Sequence, residues 1–208
     1  MSEPSLQIRR AEPSDAETIY EIYQNPRAVW GTFQLPFPSL EEWKRRLSQP
    51  PDGAYFLVAV ADAKAIGMLG LHTAPSQPRR RHAATLGMAV HDGWHGRGVG
   101  TALIRAAVDL ADNWLNLHRL ELEVYTDNEP AVRLYQRHGF VIEGTLKDFA
   151  FRNGAYVDAF TMARLRPSAN ANAAVANAAE PQRGADGSQP SRSVPTRAAG
   201  AAGSRRSR

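Results

Sequence analysis

The chain has 208 residues, which suits one domain with an appendage better than two full domains, and it contains no cysteine, which excludes disulfides, thiolate metal sites and cysteine nucleophiles. No run approaches the roughly 18–20 apolar residues that span a bilayer, and Met1–Arg10 lacks the apolar centre of a signal peptide, so a cytoplasmic location without a membrane partner is expected. Six of the 25 basic residues but only two of the 21 acidic ones follow residue 166, so 1–166 holds 19 of each and is neutral; the basic balance belongs to the end of the chain, and no nucleic-acid partner is expected for the domain.

Leu6–Arg10 reads as a short first strand. Ser14 with Glu17 has the spacing of a capping box, and Ile19, Ile22 and Tyr23 give the helix behind it one apolar face. Segment 27–38, with Pro36, Pro38, Trp30, Phe33 and Phe37, reads as a loop. A second box, Ser39 with Glu42, opens a helix through Trp43 and Leu47. Tyr55–Ala61 and Ala65–Thr73 read as a hairpin of strands around Asp62–Lys64, and Ala83–Val90 as a third, largely apolar strand. Leu103, Ile104, Ala107, Leu110 and Ala111 fall at helical spacing, so a helix is expected over Gly98–Trp114. Leu120–Thr126 alternates apolar and polar residues, as a half-buried strand does. Pro130 suits the first turn of the next helix, which ends at Gly139, and Asn153-Gly154 joins the strands Val141–Arg152 and Ala155–Leu165 in a two-residue hairpin. From Pro167 onward the chain is rich in Ala, Ser, Asn, Gly, Pro and Arg and poor in large aliphatics. Such a composition does not bury enough surface to offset the entropy of ordering. The expected organisation is one domain over 1–166 and a disordered basic tail over 167–208.

Two stretches carry chemistry. His95-Gly96-Arg97-Gly98-Val99-Gly100-Thr101 lies between a strand and a helix. Glycines at alternate positions leave successive backbone N–H groups uncovered at a positive helix end, which makes a seat for a pyrophosphate. Glycine turns also serve close packing, and the dinucleotide fingerprint has another spacing. Asn128-Glu129-Pro130-Ala131-Val132-Arg133-Leu134-Tyr135 is followed by Gly139-Phe140. Asn128 fits a helix cap, and Tyr135 falls two turns along the same face; taken alone, these are equally a cap and a packed ring. The six histidines show no metal-site spacing, and no metal is expected.

Together, the two stretches resemble the GNAT superfamily of acetyl-CoA-dependent N-acetyltransferases, over about residues 6–166. The first stretch is similar to the family's pyrophosphate loop, with His95 where Gln or Arg is usual. The second is similar to its Asn-x-x-Ala-x-x-x-Tyr element. The stretches 78–82, 112–115, 142–145 and 152–158 resemble the bacterial L-amino acid N-acetyltransferase branch, and polyamine and ribosomal-protein acetyltransferases share a looser form of the last. The resemblance implies an α/β (α+β) fold: a mixed, mostly antiparallel twisted sheet of about seven strands flanked by four helices. It implies a transferase moving acetyl from acetyl-CoA to a small primary amine, with the α-amino group of an L-amino acid foremost, and it allows a homodimer. A polyamine or protein N-terminus as acceptor, or a non-catalytic acetyl-CoA-binding module, are the alternatives.

By the same resemblance Tyr135 is the general acid toward the CoA thiolate. Glu123, on the strand before Asn128 where some ribosomal-protein acetyltransferases carry a glutamate base, is the candidate base acting through water; Thr85 replaces the usual acid of the preceding strand, which strengthens Glu123 or leaves solvent as the base. Met88, Ala89 and Val90 lend backbone groups to pantetheine and to the acetyl oxygen, Gly96, Arg97, Gly98, Val99, Gly100 and Thr101 hold the pyrophosphate, and Asn128 bonds the cofactor arm. Trp30, Phe33 and Phe37 are candidates for the acceptor pocket, and Arg80 for an acceptor carboxylate.

Overall fold

A computed structural model of the chain describes residues 6–167; beyond Pro167, the expected disordered tail lies outside the described residues. The strands are β1 (Gln7–Arg10), β2 (Ala54–Ala61), β3 (Lys64–Thr73), β4 (Ala83–Val90), β5 (Arg119–Tyr125), β6 (Val141–Arg152) and β7 (Ala155–Leu165). The helices are α1 (Ala16–Gln24), α2 (Pro26–Gly31), α3 (Leu40–Ser48), α4 (Val99–Asp109) and α5 (Glu129–Arg137). One sheet of seven strands runs β1-β2-β3-β4-β5-β7-β6. All neighbours are antiparallel except β4 and β5.

The sheet is covered on both faces at its centre, so β2 and β3 read as nearly unbroken apolar runs rather than alternating ones. On one face Ile19 and Ile22 of α1 and Trp43 and Leu47 of α3 pack on Phe56, Val58 and Met68. On the other, Leu103, Ile104 and Ala107 of α4 meet Leu69, Leu71, Leu120 and Leu122. Each of these fully buried aliphatic side chains is worth roughly 1.5–3 kcal/mol in transfer from water. Both hairpins turn through residues with positive φ: Asp62-Ala63 at 49° and 62°, and Asn153-Gly154 at 49° and 83°, the geometry that matches strand twist.

Three local expectations are corrected. Segment 26–31 lies mostly within the expected loop but forms α2, making five helices rather than four among the described residues. Pro26 starts this helix after an extended Asn25, and six residues are too few to show a helical period. The expected helix to Trp114 is α-helical only to Asp109 and closes in a π turn over Leu110–Trp114. The Ser14–Glu17 box does not form. Instead the Asp15 carboxylate closes the turn before α1, its Oδ2 accepting the Glu12 amide at 2.8 Å, while Arg9 donates to both carboxylate oxygens at 2.7 and 2.8 Å. The Ser39 cap forms as expected, its Oγ accepting the Glu42 amide at 3.3 Å.

Asp15 is the one charged residue that is buried among the described residues. Burial alone would raise its pKa, but the Arg9 guanidinium and the Glu12 amide outweigh this and hold it below the ordinary value. Its contribution to stability is therefore complete above the unfolded-state pKa of about 3.9 and fades as pH falls through the lower folded value. We expect Asp15→Asn to cost about 1.5 kcal/mol at pH 7, the low end for a hydrogen bond to a charged group, and to flatten the acid limb of stability against pH. Urea unfolding at pH 3–7 reads both; an unchanged acid limb would assign acid sensitivity elsewhere.

Candidate active site

β4 and β5 pair in register only over Ala83–Thr85 and Arg119–Glu121. Beyond that they diverge: β4 continues to Val90 with β3 alone, and β5 to Tyr125 with β7 alone. Two strand edges thus face each other inside the molecule, and unpaired backbone groups there need a partner. The gap opens a cleft of about 1100 Å³. Met88, Ala89 and Val90 line one arm, and Glu123, Asn128 and Tyr135 lie along the other.

At one end sits the glycine loop. His95 closes it back on β4, with Nε2 3.0 Å from the Val90 carbonyl oxygen. Gly98 is the N-terminal flank of α4 with φ 80°, and no side chain caps the amides of the first turn. A Cβ at Gly96 or Gly98 would meet nothing within 4 Å, whereas one at Gly100 would come within 2.9 Å of Leu134. The first two glycines therefore leave room for a ligand, and Gly100 lets α4 approach α5. Gly96, Gly98, Val99, Gly100 and Thr101 all line the cleft. Arg97 does not; its guanidinium lies 5.1 Å from the Trp94 ring centre. An open diphosphate-sized seat on uncapped amides, continued by an unpaired strand edge, fits the diphosphate and amide-bearing arm of a coenzyme A thioester.

Asn128 caps α5, its Oδ1 accepting the Ala131 amide at 3.4 Å, and α2 ends against it, since a Cβ on Gly31 would lie 3.1 Å from Asn128 Nδ2. Two turns on, Tyr135 is 6% exposed and packs edge-on to Phe140. Burial, with Tyr23 nearby, raises its phenol well above the ordinary value, so it keeps its proton at physiological pH. Tyr23 is itself pushed up to about 12 by burial. Glu123 is exposed on the cleft face of β5 and makes no hydrogen bond or ion pair among the described residues. Glu121, two residues earlier, is by contrast held by Arg80 and Arg119.

At the other end the floor is bare only at Gly87, since a Cβ on Gly70 would come within 2.8 Å of His72 Nε2. Gly70 and Gly87 are register partners on β3 and β4, and a Cβ on Gly87 would meet nothing within 4 Å. Thr85, His72, Phe56, Trp43, Arg46, Trp30 and Phe33 surround it. Trp30 and Phe33 thus line the cleft. Phe37 does not: it is 98% exposed with φ 62° and lies outside the cleft. Arg80 is also absent from the lining and is bound to Glu121. Sequence reasoning missed His72, Arg46 and Tyr23. His72 sits beside Thr85 in register; burial, then the Arg46 charge, lowers its pKa and keeps the ring neutral. Arg46 follows Trp43 by one helical turn, a spacing that could have placed it on the buried face.

Comparison with known proteins agrees with this geometry. The family model described as Acetyltransferase (GNAT) family matches residues 16–140. The L-amino acid N-acetyltransferase AaaT of Escherichia coli K12 is 44% identical over 159 residues, covering 76% of this chain and 97% of that enzyme. Among solved structures, an acetyltransferase of GNAT family from Streptococcus pneumoniae superposes with a TM-score of 0.70 at 29% identity, over 78% of this chain and all of that one. Spermidine N-acetyltransferase from Vibrio cholerae, solved with CoA and spermine, gives 0.69 at 28% identity over 77% and 95%. With the glycine loop, the forked strands and the Asn128–Tyr135 helix all in place, this chain belongs to the GNAT family of acetyltransferases and is an N-acyltransferase that uses acetyl-CoA.

Proposed function

We propose that the enzyme acetylates the α-amino group of an L-amino acid with an apolar or aromatic side chain. The observation that carries this reading is the charge of the acceptor end. The cleft is lined by two carboxylates among the described residues, Glu123 and Asp127, and Asp127 is bound to Arg152. Glu123 alone is left, enough for one amine but not for the second and third ammonium groups of a polyamine. Trp30 and Phe33 meanwhile offer aromatic surface, and burial of apolar area on it is worth roughly 25 cal/mol per Å². The similarity to AaaT, at 44% identity, points the same way.

In the proposed reaction the amine nitrogen bonds to the acetyl carbonyl carbon as the carbon–sulfur bond breaks. The amine proton passes through water to Glu123, and the departing thiolate takes a proton from Tyr135. An α-amine, with a pKa of roughly 7.7–8, needs little help to lose its proton, which suits an exposed carboxylate acting through water. Backbone groups of Met88, Ala89 and Val90 face the acetyl group along the unpaired edge, where a donor aimed at the developing oxyanion supplies a large part of the barrier reduction. Asn128 holds the cofactor arm, and the loop from Gly96 to Thr101 holds the diphosphate. A pure acetyl-CoA-binding module needs neither an open Glu123 nor a protonated Tyr135.

The test is kcat/KM for phenylalanine, phenylalaninamide and spermidine, measured side by side. The free amino acid is expected to lead and spermidine to trail. Should spermidine win, or the amide match the acid, a polyamine or a protein terminus takes the amino acid's place.

A further inference from the structure

We infer that Arg46 is the anchor of the acceptor's carboxylate, the residue that makes the pocket select a free amino acid over an uncharged amine. The inference rests on the amino-acid reading above and adds to it the specificity-determining group.

Arg46 lies in the last turn of α3 and lines the cleft. Its guanidinium carbon is 5.2 Å from the centre of the Trp43 ring and 5.2 Å from that of Phe56. Two ring faces steady a guanidinium without consuming its N–H donors. Among the described residues Arg46 makes no hydrogen bond and no ion pair. Other arginines do: Arg9 holds Asp15, Arg80 and Arg119 hold Glu121, Arg152 holds Asp127, and Arg164 holds Asp112. Arg46 is thus a pre-positioned planar fork whose natural complement, a carboxylate, is missing from its surroundings.

Its place in the cleft suits the task. Phe56, Gly70 and Gly87 are register partners across β2, β3 and β4. Arg46 over Phe56 therefore stands two strand spacings, or about 10 Å, from the unpaired arm of the fork. An extended guanidinium and a small amino acid cross that span, past the His72 ring beside Gly70, to the open space over Gly87. Its charge also acts on His72 and Tyr23, which line the same cleft. The remaining cleft arginines lie elsewhere. The Arg27 amide is 3.5 Å from Asp92 at the start of the cofactor loop, and Arg137 is in the last turn of α5, where it and Arg105 of α4 both act on His138.

The experiment compares wild type, Arg46→Lys and Arg46→Met on phenylalanine, phenylalaninamide and phenethylamine, with CoA affinity and thermal midpoint as controls for folding. In Arg46→Met the preference for acid over amide is expected to fall about tenfold, the size of one lost charge-assisted hydrogen bond, through KM rather than kcat. Arg46→Lys should fall in between, keeping the charge but losing the fork. If wild type prefers the acid and Arg46→Met keeps that preference, or loses acid and amide equally, the anchor is wrong and the amino-acid reading stands. If wild type shows no preference for the acid, both fall together.

Discussion

Replacing Tyr135 with Phe should lower turnover about 10²-fold while acetyl-CoA binds nearly as before. The substitution keeps the ring that packs edge-on to Phe140 and removes only the hydroxyl proton. Because burial raises the Tyr135 phenol, the group is a proton donor, never a base, over the pH range in which the amine titrates. The loss should sit in kcat, with the acetyl-CoA KM and the thermal midpoint little changed. Pre-steady-state release of free thiol separates the chemical step from product release. Unaffected turnover would mean that water protonates the thiolate and would remove Tyr135 from the chemistry.

Gly98→Val should weaken CoA binding by at least about tenfold, from two additive causes. At φ 80°, an L residue bears a backbone penalty of roughly 1–2 kcal/mol, and a β-branched one fares worst. The new side chain also enters space that is open in the protein and that diphosphate oxygens need. Isothermal titration with CoA reads the loss. Gly98→Ala serves as the partner variant, carrying the strain with less bulk, so a larger defect in Val than in Ala reports the ligand contact. A folded Val variant with unchanged CoA affinity would take the loop out of the site.

The sequence was most legible where a local rule acts alone. Asn153-Gly154 makes its hairpin turn, Asn128 caps its helix, and the glycines sit on the strand-to-helix turn, because each depends on a few adjacent residues. Where two local choices compete, reading from sequence erred: Ser14 and Asp15 both suit a helix start, and the Asp15 carboxylate, held by Arg9 and the Glu12 amide, is the one engaged. The proposed acceptor pocket was least legible. Its floor and walls come from α2, α3, β2, β3 and β4, and nothing adjacent in the chain says that Arg46, Phe56 and Gly87 share a row. Phe37 fails for the opposite reason. Here the cleft lining ends at Gln34, and beyond it Leu35 and Phe37, the latter with a positive φ, stand in solvent.

The fork has a mechanical meaning. Its crotch is the three-residue pairing of β4 with β5, and beside it Arg80, Glu121, Arg119 and Glu143 form a chain of ion pairs that ties the turn before β4 to β5 and β6. From Thr85 to Val90 the arm of β4, paired with β3 but open on the β5 side, runs five residues, about 16 Å. On a lever of that length, a rotation of about 5° at the crotch moves the tip by about 1.4 Å, more than the roughly 1 Å displacement that can cost 10²-fold in rate. Arg80, which is absent from the cleft lining, thus stands at the fulcrum, where a small slackening is magnified along the arm that carries Met88, Ala89 and Val90.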